Sequence, residues 1–69
     1  MPEALSDREH QVLCLLASGK TVKEAAADMS LSFKTISTYR ARILEKMNLQ
    51  NNSQIMRYAV RHGLVSTDE

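Results

Sequence analysis

Start and stop signals for helices recur at short intervals along this chain, and they leave little freedom in how it folds. In Ser6-Asp7-Arg8-Glu9 the Ser6 hydroxyl is placed to accept from the Glu9 amide while the Glu9 carboxylate reaches back, a capping box. Val12, Leu13, Leu15 and Leu16 follow at helical spacing, and Gly19 stands where a left-handed terminator belongs. Thr21-Val22-Lys23-Glu24 repeats the box and opens a short helix. Its Ala25, Ala26 and Ala27 are small enough to let another helix approach closely. Met29-Ser30-Leu31 makes a turn, Ser32 caps a third helix, and Asn48 is its stop. Ser53 is expected to cap a fourth helix closed by Gly63, with Leu64 folding back on its last turn. The predicted fold is therefore all-α, a four-helix domain with helices at about 7–18, 22–28, 33–47 and 54–62. Residues 1–4 and 66–69 are expected to be flexible ends around a domain spanning 5–65. Ile55, Met56, Ala59 and Val60 form the expected apolar arc of the fourth helix, and Met29, Met47 and Met56 the gap-fillers of the core.

Composition closes several functional classes. With 69 residues there is room for one modest core, and 43% hydrophobic with 25% charged residues is ordinary globular composition rather than that of a disordered chain. The apolar runs fall far short of the roughly 20 residues that span a bilayer, and no secretory signal is visible. A single cysteine, Cys14, cannot form an internal disulfide, which points to a reducing, cytoplasmic setting. His10 and Cys14 are spaced to share a helix face, but two ligands do not make a metal site, and Cys14 among leucines reads as a core residue. Cys14 with His62 as nucleophile and base lacks an oxyanion donor and an orienting acid. No enzyme activity, metal or organic cofactor is expected.

The third helix carries the most information. Wound at about 100° per residue, it places Ile36, Tyr39, Ile43, Leu44 and Met47 on one arc. Lys34, Ser37, Thr38, Ala41, Arg42 and Glu45 point the other way. Short hydroxyls, an alanine and cations suit a major groove, because they let the helix axis come close, bond base edges and touch thymine methyls. A solvated face of poor helix formers reads equally well from these residues alone. The short helix, three-residue turn and longer capped helix favour the groove, since that is helix-turn-helix geometry. Thr21 and Ser32 sit at the two helix starts, where unpaired amides favour phosphate, although capping alone also explains them. The net charge of +1 hides a polarised chain: residues 30–62 hold six cations against Glu45 alone, while residues 1–29 hold three against five carboxylates. Phosphate attraction follows that local field.

Leu5-Ser6-Asp7-Arg8-Glu9, Val12-Leu13, Leu16-Ala17-Ser18-Gly19-Lys20-Thr21 and Lys23-Glu24-Ala25-Ala26 together resemble the opening of a LuxR-type (FixJ/NarL) helix-turn-helix domain. The likeness continues through Leu31-Ser32-Phe33-Lys34-Thr35-Ile36-Ser37-Thr38-Tyr39, Ile43, Lys46-Met47 and Leu49, without a gap over residues 5–65. Tyr39 stands where many members have histidine, Asn48 where glycine is common, and Asn52 where arginine is frequent. The resemblance implies a DNA-binding output module of bacterial transcription regulators, many of them response regulators. It implies that the third helix lies in the major groove and that the fourth supports a homodimer on paired half-sites.

Carried over by position, Ser37, Thr38 and Ala41 fall where bases are read, and Lys34, Thr35 and Arg42 where backbone or flanking bases are touched. Lys46 is expected to add phosphate attraction, with Thr21, Ser32 and Arg40 as further backbone contacts. Tyr58, Arg61 and His62 form the expected dimer edge. The partners implied are double-stranded DNA, a second copy, RNA polymerase and an upstream receiver domain. This makes the chain an expected output domain separated from its sensor, with a stand-alone regulator as the other reading. The rival function is a helical interaction module that uses the fourth-helix edge.

Overall fold

The structure is a computed structural model that describes residues 4–64. It contains α1 (Asp7–Ala17), α2 (Val22–Met29), α3 (Phe33–Met47) and α4 (Asn52–Arg61), so the four-helix, all-α expectation holds. Residues 1–3 and 66–69 of the expected flexible ends lie outside the described residues. Both capping boxes form. Ser6 Oγ accepts from the Glu9 amide at 3.2 Å while Glu9 Oε1 accepts from the Ser6 amide at 2.9 Å. Thr21 and Glu24 repeat the exchange at 3.0 and 2.9 Å. Ser32 Oγ accepts from the Thr35 amide at 3.1 Å.

The fourth start differs from expectation. Asn51, not Ser53, is the cap, its Oδ1 accepting from the Gln54 amide at 2.9 Å, and Ser53 lies inside the first turn. Asparagine caps as well as serine. Starting earlier also lets Gln54 Oε1 accept from the Gln50 amide at 2.7 Å, so two amides outside the helix ladder are satisfied. Smaller boundary shifts follow from the caps: α1 ends at Ala17, α2 runs on to Met29, and α4 ends at Arg61.

All four helices close in the same way. A left-handed residue follows each, at Gly19, Ser30, Asn48 and Gly63, with φ of 98°, 56°, 57° and 71°. The next amide reaches back to a carbonyl five residues earlier: Lys20 to Leu15, Leu31 to Ala26, Leu49 to Leu44 and Leu64 to Ala59, at 2.8–3.2 Å. These are Schellman closures, and Leu31, Leu49 and Leu64 lay their side chains against the core as the motif favours. Ser30 is the one closure that the turn composition does not announce. A left-handed serine is strained where glycine is not, so Ser30→Gly is expected to raise stability by about 0.5–1 kcal/mol. Thermal melting checks this as a rise of roughly 2–8 °C; a fall would mean that strain at Ser30 is not being relieved.

The core is small and helix α1 is its hub, touching all three others, while α2 packs on α3. Val12, Leu13, Leu16 and Ala17 of α1 meet Ala25 and Ala26 of α2, Ile36 and Ile43 of α3, and Ile55 and Ala59 of α4. Fully burying a leucine or isoleucine stabilises by about 1.5–3 kcal/mol, so these few side chains dominate the packing energy. Three expected core residues are not in it: Cys14 of α1 is only half-buried and lies outside the cluster, and the other two are on α4. Met56 and Val60 remain 43% and 41% exposed, because α4 turns the Ile55–Ala59 stripe inward and each following residue lies about 100° around the helix.

Candidate nucleic-acid interface

Helices α2 and α3 with the turn Ser30-Leu31-Ser32 form the helix-turn-helix. Buried Ala25 and Ala26 place no bulk between the two helices. Packing on Ile36 and Ile43 fixes the roll of α3, and this leaves Phe33, Lys34, Thr38, Ala41, Arg42 and Glu45 exposed, with Thr35 and Ser37 half-buried. The outward residues fall into two neighbouring rows spaced by four. Phe33, Ser37 and Ala41 make an apolar or short row; Lys34, Thr38 and Arg42 make a polar, cationic one.

Hydrogen bonds define what these side chains can offer. Thr38 Oγ1 donates to its own-helix Lys34 carbonyl at 3.1 Å, so outward it presents lone pairs, as an acceptor. The Ser32 and Thr35 hydroxyls are bonded to each other at 2.8 Å beside the α3 start. Thr21 Oγ1 accepts from the Glu24 amide and keeps its own proton for another partner. Arg40 Nε donates to Asn52 Oδ1 at 2.8 Å, tying α3 to the first residue of α4 and leaving the terminal guanidinium nitrogens to other partners. Lys20 pairs with Asp28, and that carboxylate holds the ammonium above its ordinary pKa; both ends are too exposed for the pair to contribute much.

Lys46 is placed otherwise than expected. Its Nζ donates to Glu9 Oε1 at 2.8 Å and reaches the Ala4 carbonyl at 3.5 Å, on the α1 side of the domain. The Glu9 side chain is 3% exposed and the Lys46 side chain 21%. The bond from Lys46 and then the Ser6 amide hold the Glu9 carboxyl below its ordinary value of 4.5, against the opposing effect of burial. Glu9 thus closes the start of α1 and fastens the end of α3. The partners are far apart in sequence, and only the capping role was visible there.

At the end of α4, Tyr58 and the following cap residue His62, both of the expected dimer edge, lie ring to ring, centroids 4.2 Å apart. They line a groove of about 480 Å³ with Leu5, His10, Met47 and Leu64. Arg61 is exposed between the two surfaces, lining one groove with Tyr58 and His62 and another with Met56, Arg57 and Val60. Cys14 Sγ lies 3.9 Å from His10 Nδ1, and among the described residues no group of three or more His, Cys, Asp or Glu could hold a metal ion. No helix among them is long and apolar enough to cross a membrane. Sequence reasoning missed Phe33, which is 60% exposed at the first position of α3; an aromatic directly after an N-cap was the available signal.

The fold and this outward α3 define a helix-turn-helix regulator domain. Residues 3–59 match the family described as bacterial regulatory proteins, luxR family, and the chain belongs to that family, whose domain serves DNA-binding transcription regulation. The chain is 34% identical over 65 residues to the response regulator UvrY of Escherichia coli K12, an overlap covering 94% of this chain and 30% of that protein. It is 39% identical over 64 residues to the transcriptional regulatory protein LiaR of Bacillus subtilis, covering 93% and 30%. Against the response regulator GacA of Pseudomonas aeruginosa it is 38% identical over 63 residues, covering 91% and 29%. The chain spans about 30% of the length of these relatives.

Proposed function

We propose that this chain is a sequence-specific reader of double-stranded DNA, the output domain of a cytoplasmic two-component response regulator. The observation that carries this reading is the outward face of α3, where short hydroxyl, apolar and cationic side chains stand in two rows with Glu45 as the single acid. Ser37, Thr38 and Ala41 read bases. Lys34, Thr35 and Arg42 hold the flanking backbone, with Thr21 and Ser32 at the helix starts and the outer end of Arg40 as further phosphate contacts. Lys46, engaged by Glu9, serves the fold instead. Thr38, offering lone pairs outward, suits an amino group on adenine or cytosine.

Binding as a homodimer on paired half-sites fits the same reading. The exposed apolar pair Met56 and Val60, flanked by Arg57 and Arg61, supports a contact between α4 helices centred there, with Tyr58 and His62 at its margin. That surface also keeps the interaction-module reading in play, and RNA polymerase and a receiver domain are partners proposed for the longer protein. Salt separates the readings, since DNA binding weakens steeply as salt rises and an apolar contact scarcely changes. Within DNA binding, Thr38→Ala is expected to cost about 1–3 kcal/mol on a selected duplex and little on a scrambled one, measured by fluorescence anisotropy. Equal losses on both duplexes would remove Thr38 from base reading.

A further inference from the structure

Phe33 has no fold role that accounts for an aromatic. It occupies the first position of α3, is 60% exposed, and lies outside the buried cluster and the side chains packed on it. Among the described residues the other large exposed apolar side chains, Met56 and Val60, sit on α4, so Phe33 is not part of an apolar patch with them. It is instead the first member of the row it shares with Ser37 and Ala41, and it adjoins Lys34 of the cationic row. The residues beyond it in its row are short, which leaves the ring as the side chain that projects furthest. In helix-turn-helix docking the N-terminal residues of the reading helix meet the base edges. Phenyl rings are among the groups that contact the thymine methyl, whereas phosphate gives such a ring nothing to bond.

We infer that Phe33 is a specificity-determining contact, its ring packing on a thymine C5-methyl group in the major groove. The inference rests on the DNA-reading function proposed above. With Ala41 in the same row it biases the preferred half-site toward thymine at the position the start of α3 reaches.

The probe is a duplex selected from a random pool by the wild-type chain, remade with deoxyuridine replacing one thymine at a time. A uracil differs from thymine only by the missing methyl. At one position the wild type is expected to lose about fourfold in affinity on that exchange, the effect of one buried methyl. Phe33→Ala is expected to bind the all-thymine duplex roughly tenfold more weakly, and to show no penalty for uracil at that same position. Phe33→Leu should retain part of both effects. Because the ring is exposed, the circular-dichroism melt of Phe33→Ala should match that of the wild type, which separates contact from folding. The inference is overturned if Phe33→Ala binds as well as the wild type, or if its loss is the same whichever thymine is exchanged. A wild-type chain that shows no salt-sensitive binding to any duplex overturns the DNA-reading function itself.

Discussion

Glu9→Gln is expected to lower the stability of this domain by about 2 kcal/mol at neutral pH, because one carboxylate is used twice. It accepts from the Ser6 amide at 2.9 Å and from Lys46 Nζ at 2.8 Å, in a site where only 3% of the Glu9 side chain meets water. The amide of glutamine keeps the shape and the one oxygen, Oε1, that accepts both bonds, but turns charge-assisted bonds into ordinary ones, a difference of roughly 1–2 kcal/mol. The cost stays below that of breaking a fully buried pair, since Lys46 is 21% exposed and keeps some hydration. The pH dependence has a definite sign. A carboxyl whose pKa is lowered by folding stabilises fully above its ordinary 4.5, and that stability is lost as pH falls through the lowered folded value. Urea unfolding of the wild type and Glu9→Gln should therefore differ most near neutrality and converge as the pH falls below 4.5 through the lowered folded value. A gap independent of pH would mean that packing, not charge, links Glu9 to Lys46. Lys46→Met should cost stability as well while leaving the salt dependence of DNA binding unchanged, opposite to the behaviour of a phosphate contact.

Lys34→Ala combined with Arg42→Ala is expected to remove most of the electrostatic affinity for DNA without unfolding the domain. Both residues are exposed on the cationic row, and neither is in the two ion pairs found among the described residues. Each phosphate contact contributes about 0.9 to the slope of log affinity against log salt, so the double variant should flatten that slope by about 2. At about 0.1 M salt the same accounting gives a loss of roughly 50-fold, shared by selected and scrambled duplexes alike. Thermal melting should be nearly unchanged, because exposed substitutions of this kind usually alter stability by less than about 0.5 kcal/mol. A slope unchanged by both substitutions would move the DNA-facing surface away from α3.

What was legible in the sequence was mainly local. Ser6, Thr21 and Ser32 announced three helix starts, since each cap bonds an amide three residues on. The α3 face was legible because its period alone separates Ile36 and Ile43 from Lys34, Thr38 and Arg42. Asn51 and Ser53 are both good caps, and the choice was made by the extra bond that Gln54 returns to Gln50. Lys46 looked like one more cation on a basic stretch because its partner, Glu9, belongs to another helix. Met56 and Val60 looked like core because they are apolar, yet burial on α4 depends on which stripe α1 accepts. Phe33 shows the converse, a residue whose exposure only the assembled helix pair reveals.

The repeated closure of the helix ends bears on how the chain reaches this state. Each of the four turns back through amide bonds to its own last carbonyls, across connectors of only a few residues. Much of the backbone can therefore satisfy itself from sequence-near partners, before any distant segment has been found. Chains built mainly from such local contacts fold in microseconds to milliseconds. For a domain of this size that means rapid recovery after transient unfolding, with little time spent exposing the apolar stripes of α1 and α4 to neighbouring molecules.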